Sequence, residues 1–358
     1  MKKAIEYLKK INKKDVVVII FHNDGDGICS ATLLNKFLIK WRGKPADMLI
    51  TQPMPPNKNL IDYVKTTIPT KIIFTDLAID QDVKFVKKFE SISKVLVIDH
   101  HEINNKISSK KVTYYNPRLY NKNVYKSASY IVYKITSKIV DMSDCLWIAS
   151  IGIISDYDIT YSKDLLNEAN SKYHNYLGRI TQKDVLTSKF GIMSDMIASA
   201  KATKSLSCEQ MVEMFTKSNS PEDILNGKYA DKIKKSYQKI QNELERLKID
   251  IKKSAEINKN VVFYKFDSKY NFRSPLSSII SDKYPSKVII VWNKSKGNIK
   301  LSARAKYQKY NIGSILKKIS KKMKNVSAGG HPAAAGATIP EKYWEEFKEN
   351  LIKTINSI

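Results

Sequence analysis

The sequence predicts an α/β protein: a doubly wound parallel-sheet domain, a helical connector and a smaller α/β domain, with the active site in the cleft between the two α/β domains. Three observations carry this. Short Val- and Ile-rich segments bounded by polar turns alternate with helical patterns over the first 156 residues, which is the signature of parallel strands joined by helices. From about Leu165 to Lys259 the pattern is almost wholly helical. Strand patterns then resume at Val261. The boundaries expected are 1–165, 166–258 and 259–358.

The elements follow in order. "MKKAIEYLKKINKKD" lacks a continuous apolar core and a small-residue cleavage site, so it reads as a short amphipathic helix and not a secretory signal. Buried strands are expected at Val16–Phe21, Lys71–Ile79 and Lys94–Asp99, and helices at Ile28–Trp41, Asp82–Ile92 and Ser127–Val140. "LWIASIGIISD" (Leu146–Asp156) is apolar throughout and reads as a buried helix running into Asp156. Ser220–Ile257 opens with the cap-like Ser220-Pro221-Glu222-Asp223 and reads as one long connecting helix. The second domain offers strands at Val261–Phe266, Lys287–Trp292 and Asn298–Ala305. No internal repeat is evident.

Composition narrows the function. With 358 residues, 42% hydrophobic and 10% aromatic, the chain can bury more than one core. No apolar run reaches membrane-spanning length. Cys29, Cys145 and Cys208 are isolated in sequence, which excludes a disulfide framework and a thiolate zinc site and fits a reducing cytoplasm. The net charge of +27 attracts polyanions, nucleic acid or its fragments above all, although a Lys-biased surface is the plainer alternative.

The chemistry sits where strands end. Asp24 and Asp26 follow the first strand within "HNDGDG", Asp76 follows the second, Asp99 with His100 and His101 the third, and Asp156 closes the fourth apolar segment. A lone Asp after a strand is usually a turn or a helix cap. In an open α/β sheet, however, the C-terminal strand ends converge on one crevice, and gathered carboxylates repel unless a cation neutralises them. Mixed carboxylate and imidazole donors suit Mn²⁺, with Mg²⁺, Co²⁺ or Fe²⁺ as competitors. So many donors exceed the needs of one ion and favour a pair about 3.5–4 Å apart sharing a carboxylate and a hydroxide. The two glycines of "DGDG" are expected to leave room for the ions.

These residues carry a resemblance. "HNDGDG", "FTD", "IDHH" and "GIISD" resemble motifs one to four of the DHH phosphoesterase superfamily, and "GGHPAAAG" (Gly329–Gly336) resembles the glycine motif of the DHHA1 domain. The resemblance spans roughly residues 15–160 and 260–340. It implies that His22 and Asp24 hold one metal, that Asp26, His100 and Asp156 hold the other, and that Asp76 bridges them. It further implies that His101 faces the scissile phosphate while Asp99 orients a histidine. Arg304, with Ser302 in the same strand, would bind phosphate, and Gly329, Gly330 and His331 would contact a nucleotide. Read without the resemblance, the glycine segment is an anion-binding nest or simply a tight helix entry.

Two basic stretches complete the picture. Lys294–Lys324 holds eleven basic residues and no acidic one, and Lys110–Lys126 interleaves tyrosines with cations. Either is a solvated or core-packing segment, or a surface that tracks a phosphate backbone and stacks bases. Asn116-Pro117 matches a loop of the family, which implies substrate contact for Asn116. The spacing H-x-D-x-D-G and the charge point to the RecJ-like single-strand nuclease branch, with single-stranded DNA, RNA or short oligonucleotides as partners and replication or repair proteins as further ones. No segment resembles an added oligonucleotide-binding fold. Lys201 or Lys204 stands where RecJ relatives carry an Asn- and Arg-containing helix segment. These departures keep open an enzyme of oligoribonucleotides, adenosine bisphosphate or cyclic dinucleotides. A non-catalytic, Cdc45-like scaffold is the alternative from another class.

Overall fold

The computed structural model describes every residue except 106, 108, 307 and 308, the last two lying within the basic run. The chain divides into two units, Met1–Tyr237 and Gln238–Ile358.

In the first unit, α1 (Lys2–Lys9) precedes β1 (Val17–His22), α2 (Gly25–Arg42), β2 (Met48–Gln52), α3 (Leu60–Lys65), β3 (Lys71–Thr75), α4 (Val83–Ile92), β4 (Lys94–Ile98), β5 (Val112–Tyr115), α5 (Ala128–Thr136) and α6 (Leu146–Ser155). The five strands are all parallel, in the order β2-β1-β3-β4-β5. Alternation along each strand explains the double winding. Val17, Ile19, Phe21, Ile73, Leu96 and Ile98 enter a core built with α2, α5 and α6. Their neighbours Val18, Ile20, Ile72, Phe74, Val95 and Val97 enter a second core with α3 and α4. With both faces covered, the strands have no polar side and read as continuous apolar runs. Strand order reverses direction at β1, between β2 and β3, so a crevice opens at the carboxyl ends there.

The helices α7 (Lys163–Lys172), α8 (Gln182–Thr187), α9 (Lys189–Thr203), α10 (Cys208–Lys217) and α11 (Pro221–Asn226) follow. Their buried Leu165, Val185, Phe190, Met211 and Phe215 join the first of these cores. The long helix expected from Ser220 is two. Ser220 and Asp223 form a capping box around α11, which stops at Gly227, where a Cβ would fall 2.4 Å from the Asp223 carbonyl oxygen. The second piece, α12 (Ala230–Ser254), crosses from one unit into the other.

The second unit contains β6 (Glu256–Ile257), β7 (Val261–Lys265), α13 (Arg273–Lys283), β8 (Val288–Ser295), β9 (Asn298–Arg304), α14 (Ile312–Ser320), β10 (Ser327–Gly330), β11 (Ala334–Pro340) and α15 (Trp344–Asn356). Its sheet has the order β10-β11-β9-β8-β7-β6, parallel only between β7 and β8. One face packs on α14 and α15 through Ile299, Leu301, Ile312, Leu316, Phe347 and Leu351.

Several expectations change. Strands β2, β5, β6, β10 and β11 add to those the sequence predicts, and the strand expected over Lys71–Ile79 ends at Thr75. The glycine segment is neither a helix entry nor an isolated nest but a hairpin, β10 to β11, closed by the His331 amide donating to the Ala334 carbonyl at 2.8 Å. Helix α2 starts three residues before Ile28, because Asp24 caps it. All three cysteines are free and buried. Among the described residues, no helix is long and apolar enough to cross a membrane.

Candidate metal centre

The carboxyl ends of β1, β3 and β4 place the acidic and histidine residues by simple backbone means. Asp24 is the N-cap of α2, its Oδ1 accepting the Gly27 amide at 2.9 Å, so the helix N-terminus itself supports negative charge there. Asp76 leaves β3 in the left-handed region (φ 61°), an uncommon conformation for a residue with a Cβ. Its amide still donates to Ile98 at 3.0 Å, so the ladder continues while the side chain swings over the strand ends. Asp99 extends β4 in the same way, its amide donating to Tyr115 at 3.0 Å. Asp156 caps the C-terminus of α6.

These turns bring together His22, Asp24, Asp26, Asp76, His100, His101 and Asp156. His22 Nδ1 lies 2.6 Å from Asp24 Oδ2 and 3.5 Å from Asp76 Oδ2. The other oxygen of Asp76 lies 3.1 Å from His100 Nε2, whose Nδ1 is 3.6 Å from Asp156 Oδ2. Asp76 therefore faces both histidines at once. Two donor sets result, His22–Asp24–Asp76 and Asp26–His100–Asp156, and a third joins Asp76, His100 and His101; within each set the ligand atoms lie within 4.8 Å of one another.

The donor chemistry fits divalent cations. His22 Nδ1, His100 Nδ1 and Asp76 Oδ2 are buried without a well-formed hydrogen bond, a costly state for polar atoms that a cation would relieve. Oxygen and imidazole donors without thiolate suit Mn²⁺ or Mg²⁺. Proton affinities show the same crowding. Burial works against a charge on His22, but Asp24 and Asp76 outweigh it and raise its pKa to about 10. His100 is likewise raised against burial by Asp76 and Asp156. Burial, and then the charges of Asp76 and Asp156, push Asp26 well above the usual carboxylate range. Asp156 rises to about 7, chiefly through burial.

Neighbouring residues fix the ligands. Asp26 accepts the amides of Ala128 (2.6 Å) and Ser129 (2.8 Å) at the start of α5. His101 Nδ1 is 2.7 Å from the fully buried Asp99, which holds the ring and favours its protonated form against burial. Asn116 is also fully buried: its Nδ2 donates to the His101 carbonyl at 2.9 Å and its Oδ1 accepts the Arg118 amide, so its side chain braces the histidine loop. The glycines of "DGDG" owe their place to packing. A Cβ on Gly25 would sit 2.0 Å from Ser155 Oγ, and one on Gly27 2.1 Å from the His22 carbonyl oxygen. Close approach of α2 to its surroundings by itself excludes side chains there.

Two contributors carry no signal in the sequence. The hydroxyl of Tyr125 donates to Asp156 Oδ2 at 2.7 Å while its ring meets His100 edge-on at 5.3 Å. The amides at the start of α5 hold Asp26. Lys201, one of the two lysines the sequence singles out, donates from Nζ to Asn23 at 3.0 Å. Tyr125 lay in the tyrosine-rich stretch, but nothing in one sequence pairs it with Asp156. In the second unit, Ser302 and Arg304 share one face of β9 and pair in register with Gly336 and Ala334. Arg304 Nε is buried without a partner. Gly329 pairs with Gly336, and Gly330 takes φ 139° at the hairpin that His331 enters.

Comparison with known proteins gives the family. The model of the "DHH family, N-terminal domain" matches residues 16–153 and that of the "DHHA1 domain" residues 258–358. No curated protein sequence matches the chain. Among solved structures, the Mn²⁺ complex of RecJ from Thermus thermophilus aligns with TM-score 0.78 and 14% identity over 100% of this chain and 55% of that one. The present chain thus spans about half of that RecJ. A manganese-bound exonuclease RecJ aligns with TM-score 0.73 and 13% identity over 100% of this chain and 94% of that one. The pGpG-specific phosphodiesterase PggH of Vibrio cholerae follows at TM-score 0.51 and 15% identity, covering 96% and 99%. With the DHH model matched before the DHHA1 model and RecJ sharing the fold throughout, the chain carries a DHH-family N-terminal domain followed by a DHHA1 domain on the fold that RecJ shares.

Proposed function

We propose that the protein is a divalent-cation-dependent exonuclease acting on single-stranded DNA or RNA, with Mn²⁺ as its cation and Mg²⁺ or Co²⁺ as substitutes. The observation that carries this is Asp76, whose two oxygens face His22 on one side and His100 on the other, so that one carboxylate joins the His22–Asp24 pair to His100, itself a member of the Asp26–His100–Asp156 set. His22 and Asp24 would hold one cation, Asp26, His100 and Asp156 the second, and Asp76 both. Cations bound there supply Lewis-acid polarisation of a phosphoryl oxygen and acidify water. The chain's own residues do the rest. Asp99 keeps His101 in the tautomer with its proton on Nδ1 and leaves Nε2 to face a phosphate oxygen, as a hydrogen-bond donor when protonated. Arg304, Ser302, Gly329, Gly330 and His331 would bind and orient phosphates. The net charge of +27 favours a strand with several phosphates.

End-labelled single-stranded DNA, single-stranded RNA and dinucleotides, incubated with Mn²⁺, test this together. A ladder of shortened products is expected, and Asp76→Ala is expected to abolish it while leaving most strand binding. Near-normal cation-dependent cleavage by that variant would refute the assignment. A second reading, hydrolysis of short oligoribonucleotides, adenosine bisphosphate or cyclic dinucleotides, is favoured by Lys201 standing at Asn23 in place of an arginine fork. It predicts turnover of the dinucleotides alone. A non-catalytic, Cdc45-like scaffold is disfavoured because every metal-type carboxylate is in place.

A further inference from the structure

The exposed sheet face of the second unit carries cations that the metal centre does not use. Along β9, Ile299, Leu301 and Ala303 enter the core, so Lys300, Ser302 and Arg304 point to the other side. Helix α13 covers that side over β7, β8 and part of β9, through Leu276 and Ile280 on Tyr264, Ile289 and Val291 and through Ser277, whose Oγ lies 3.4 Å from Ser302 Oγ. Where the cover ends, a shallow groove of about 320 Å³ is lined by Arg273, Lys300, Ser327, Gly329, Gly336 and Thr338. Its floor is backbone. Gly329 and Gly336 are opposed in the β10–β11 register, and a Cβ on Gly329 would meet nothing within 4 Å. Paired glycines in adjacent strands leave space where another chain can approach closely.

Arg273 opens α13 and is half-buried beside this floor. Its Nη1 donates to Asn293 Oδ1 at 2.6 Å, and Asn293 stands opposite Lys300 in the β8–β9 register. Asn293 is neutral, and no Asp or Glu lines the groove. Some cations of this unit have carboxylate partners: Lys294 with Glu341, Lys306 with Asp282 and Lys348 with Glu256. Among the described residues, neither Arg273 nor Lys300 has such a carboxylate. A guanidinium withdrawn from water and held in place by a neutral amide oxygen is stabilised by an anion, and its fork matches phosphate.

We propose that Arg273 and Lys300 form a second phosphate subsite for single-stranded nucleic acid, distinct from the Arg304 position; the proposal rests on the nucleic-acid reading above and adds a length requirement to it. Lys300 and Arg304 are four residues apart on one strand, about 13 Å at about 3.3 Å per residue. That spacing matches two phosphates of an extended strand better than one. The substrate class is therefore an oligonucleotide and not a mononucleotide.

Fluorescence anisotropy of a labelled eight-nucleotide single strand, titrated with the full chain in EDTA over a series of salt concentrations, tests this without cleavage. For single strands the slope of log affinity against log salt is about 0.7 per phosphate contact. The R273Q/K300Q protein is expected to lose about 1.4 from that slope and roughly tenfold in affinity at low salt, and R273K/K300R to keep the slope. Thermal melting checks folding. Should the double variant misfold, K300Q alone, at an exposed position, is expected to lose about 0.7. An unchanged slope and affinity, or a wild-type chain that binds no strand, overturns the subsite. Cleavage with Mn²⁺ by a chain whose binding ignores both substitutions would leave the exonuclease reading standing without the subsite. The predicted slope change in a chain that cleaves nothing would do the reverse.

Discussion

Tyr125 shows how much of the centre depends on residues that are not ligands themselves. Its hydroxyl donates to Asp156 at 2.7 Å, which fixes the orientation of that carboxylate, and its ring walls His100. Partners of this kind typically hold about 10–100-fold in metal affinity. Tyr125→Phe keeps the ring and removes the donor, so Mn²⁺ affinity is expected to fall about tenfold while turnover at saturating Mn²⁺ changes much less. A Mn²⁺ titration read by electron paramagnetic resonance checks this, and unchanged affinity would sink it. The contrast with the ligands explains what one sequence reveals. Asp24, Asp26, Asp76, His100 and Asp156 stand out because each ends an apolar segment, a local pattern. Tyr125 and Asp156 are 31 residues apart and meet only through the packing of α5 and α6, so no local pattern announces them. Asn116 stood out through its loop, yet its buried amide braces His101, a use that only the fold displays.

At the scale of elements, the centre is held by how closely α2, α5 and α6 approach. Gly152 of α6 is a tight point: a Cβ there would fall 2.0 Å from Ser129 Oγ and 2.8 Å from Cys29 Cβ. Ser129 is one of the two residues whose amides hold Asp26. Gly152→Ala therefore forces α5 away from α6 and disturbs Asp26 together with the core. Overpacking of this kind costs about 1–3 kcal/mol. A lowered urea midpoint and weakened Mn²⁺ binding are expected together, and a variant with both unchanged would show that the helices have room. The elements legible in sequence are those with strong apolar content or clear periodicity: the three central strands of the first sheet, β7, β8 and β9 of the second, and α1, α2, α4, α5 and α6. Those missed lack it for physical reasons. Strands β2 and β5 are the edges of the first sheet, where half-polar sequences such as "VTYY" suffice. Strands β10 and β11 are built from Gly and Ala, which have poor strand preference and are held by pairing to β9.

For the whole molecule, the charge balance makes one pH response diagnostic. A chain of net charge +27 repels itself, and raising the pH toward the lysine range relieves that repulsion, so global electrostatics favours stability at higher pH. The metal-free centre should do the opposite. Burial opposes a charge on His22, yet Asp24 and Asp76 raise it from 6.5 to about 10 in the folded chain. A group raised on folding contributes its full stabilisation below its unfolded value and loses it as pH climbs through the folded one. Between about pH 6.5 and 10 the folded chain binds one more proton at His22 than the unfolded chain. This group alone then lowers stability by up to about 1.4 kcal/mol per pH unit. A divalent cation displaces that proton and binds the folded state, so it should both raise the melting temperature and flatten its alkaline decline. Calorimetric melts in EDTA and in excess Mg²⁺ from about pH 6.5 to 9.5 make the comparison. Because the chain divides into two units, the transition that responds to Mg²⁺ also identifies the unit that holds the centre. Identical pH dependence with and without Mg²⁺ would mean that His22 neither keeps its proton among the carboxylates nor yields it to a cation, and the two-set assignment around Asp76 would fail with it.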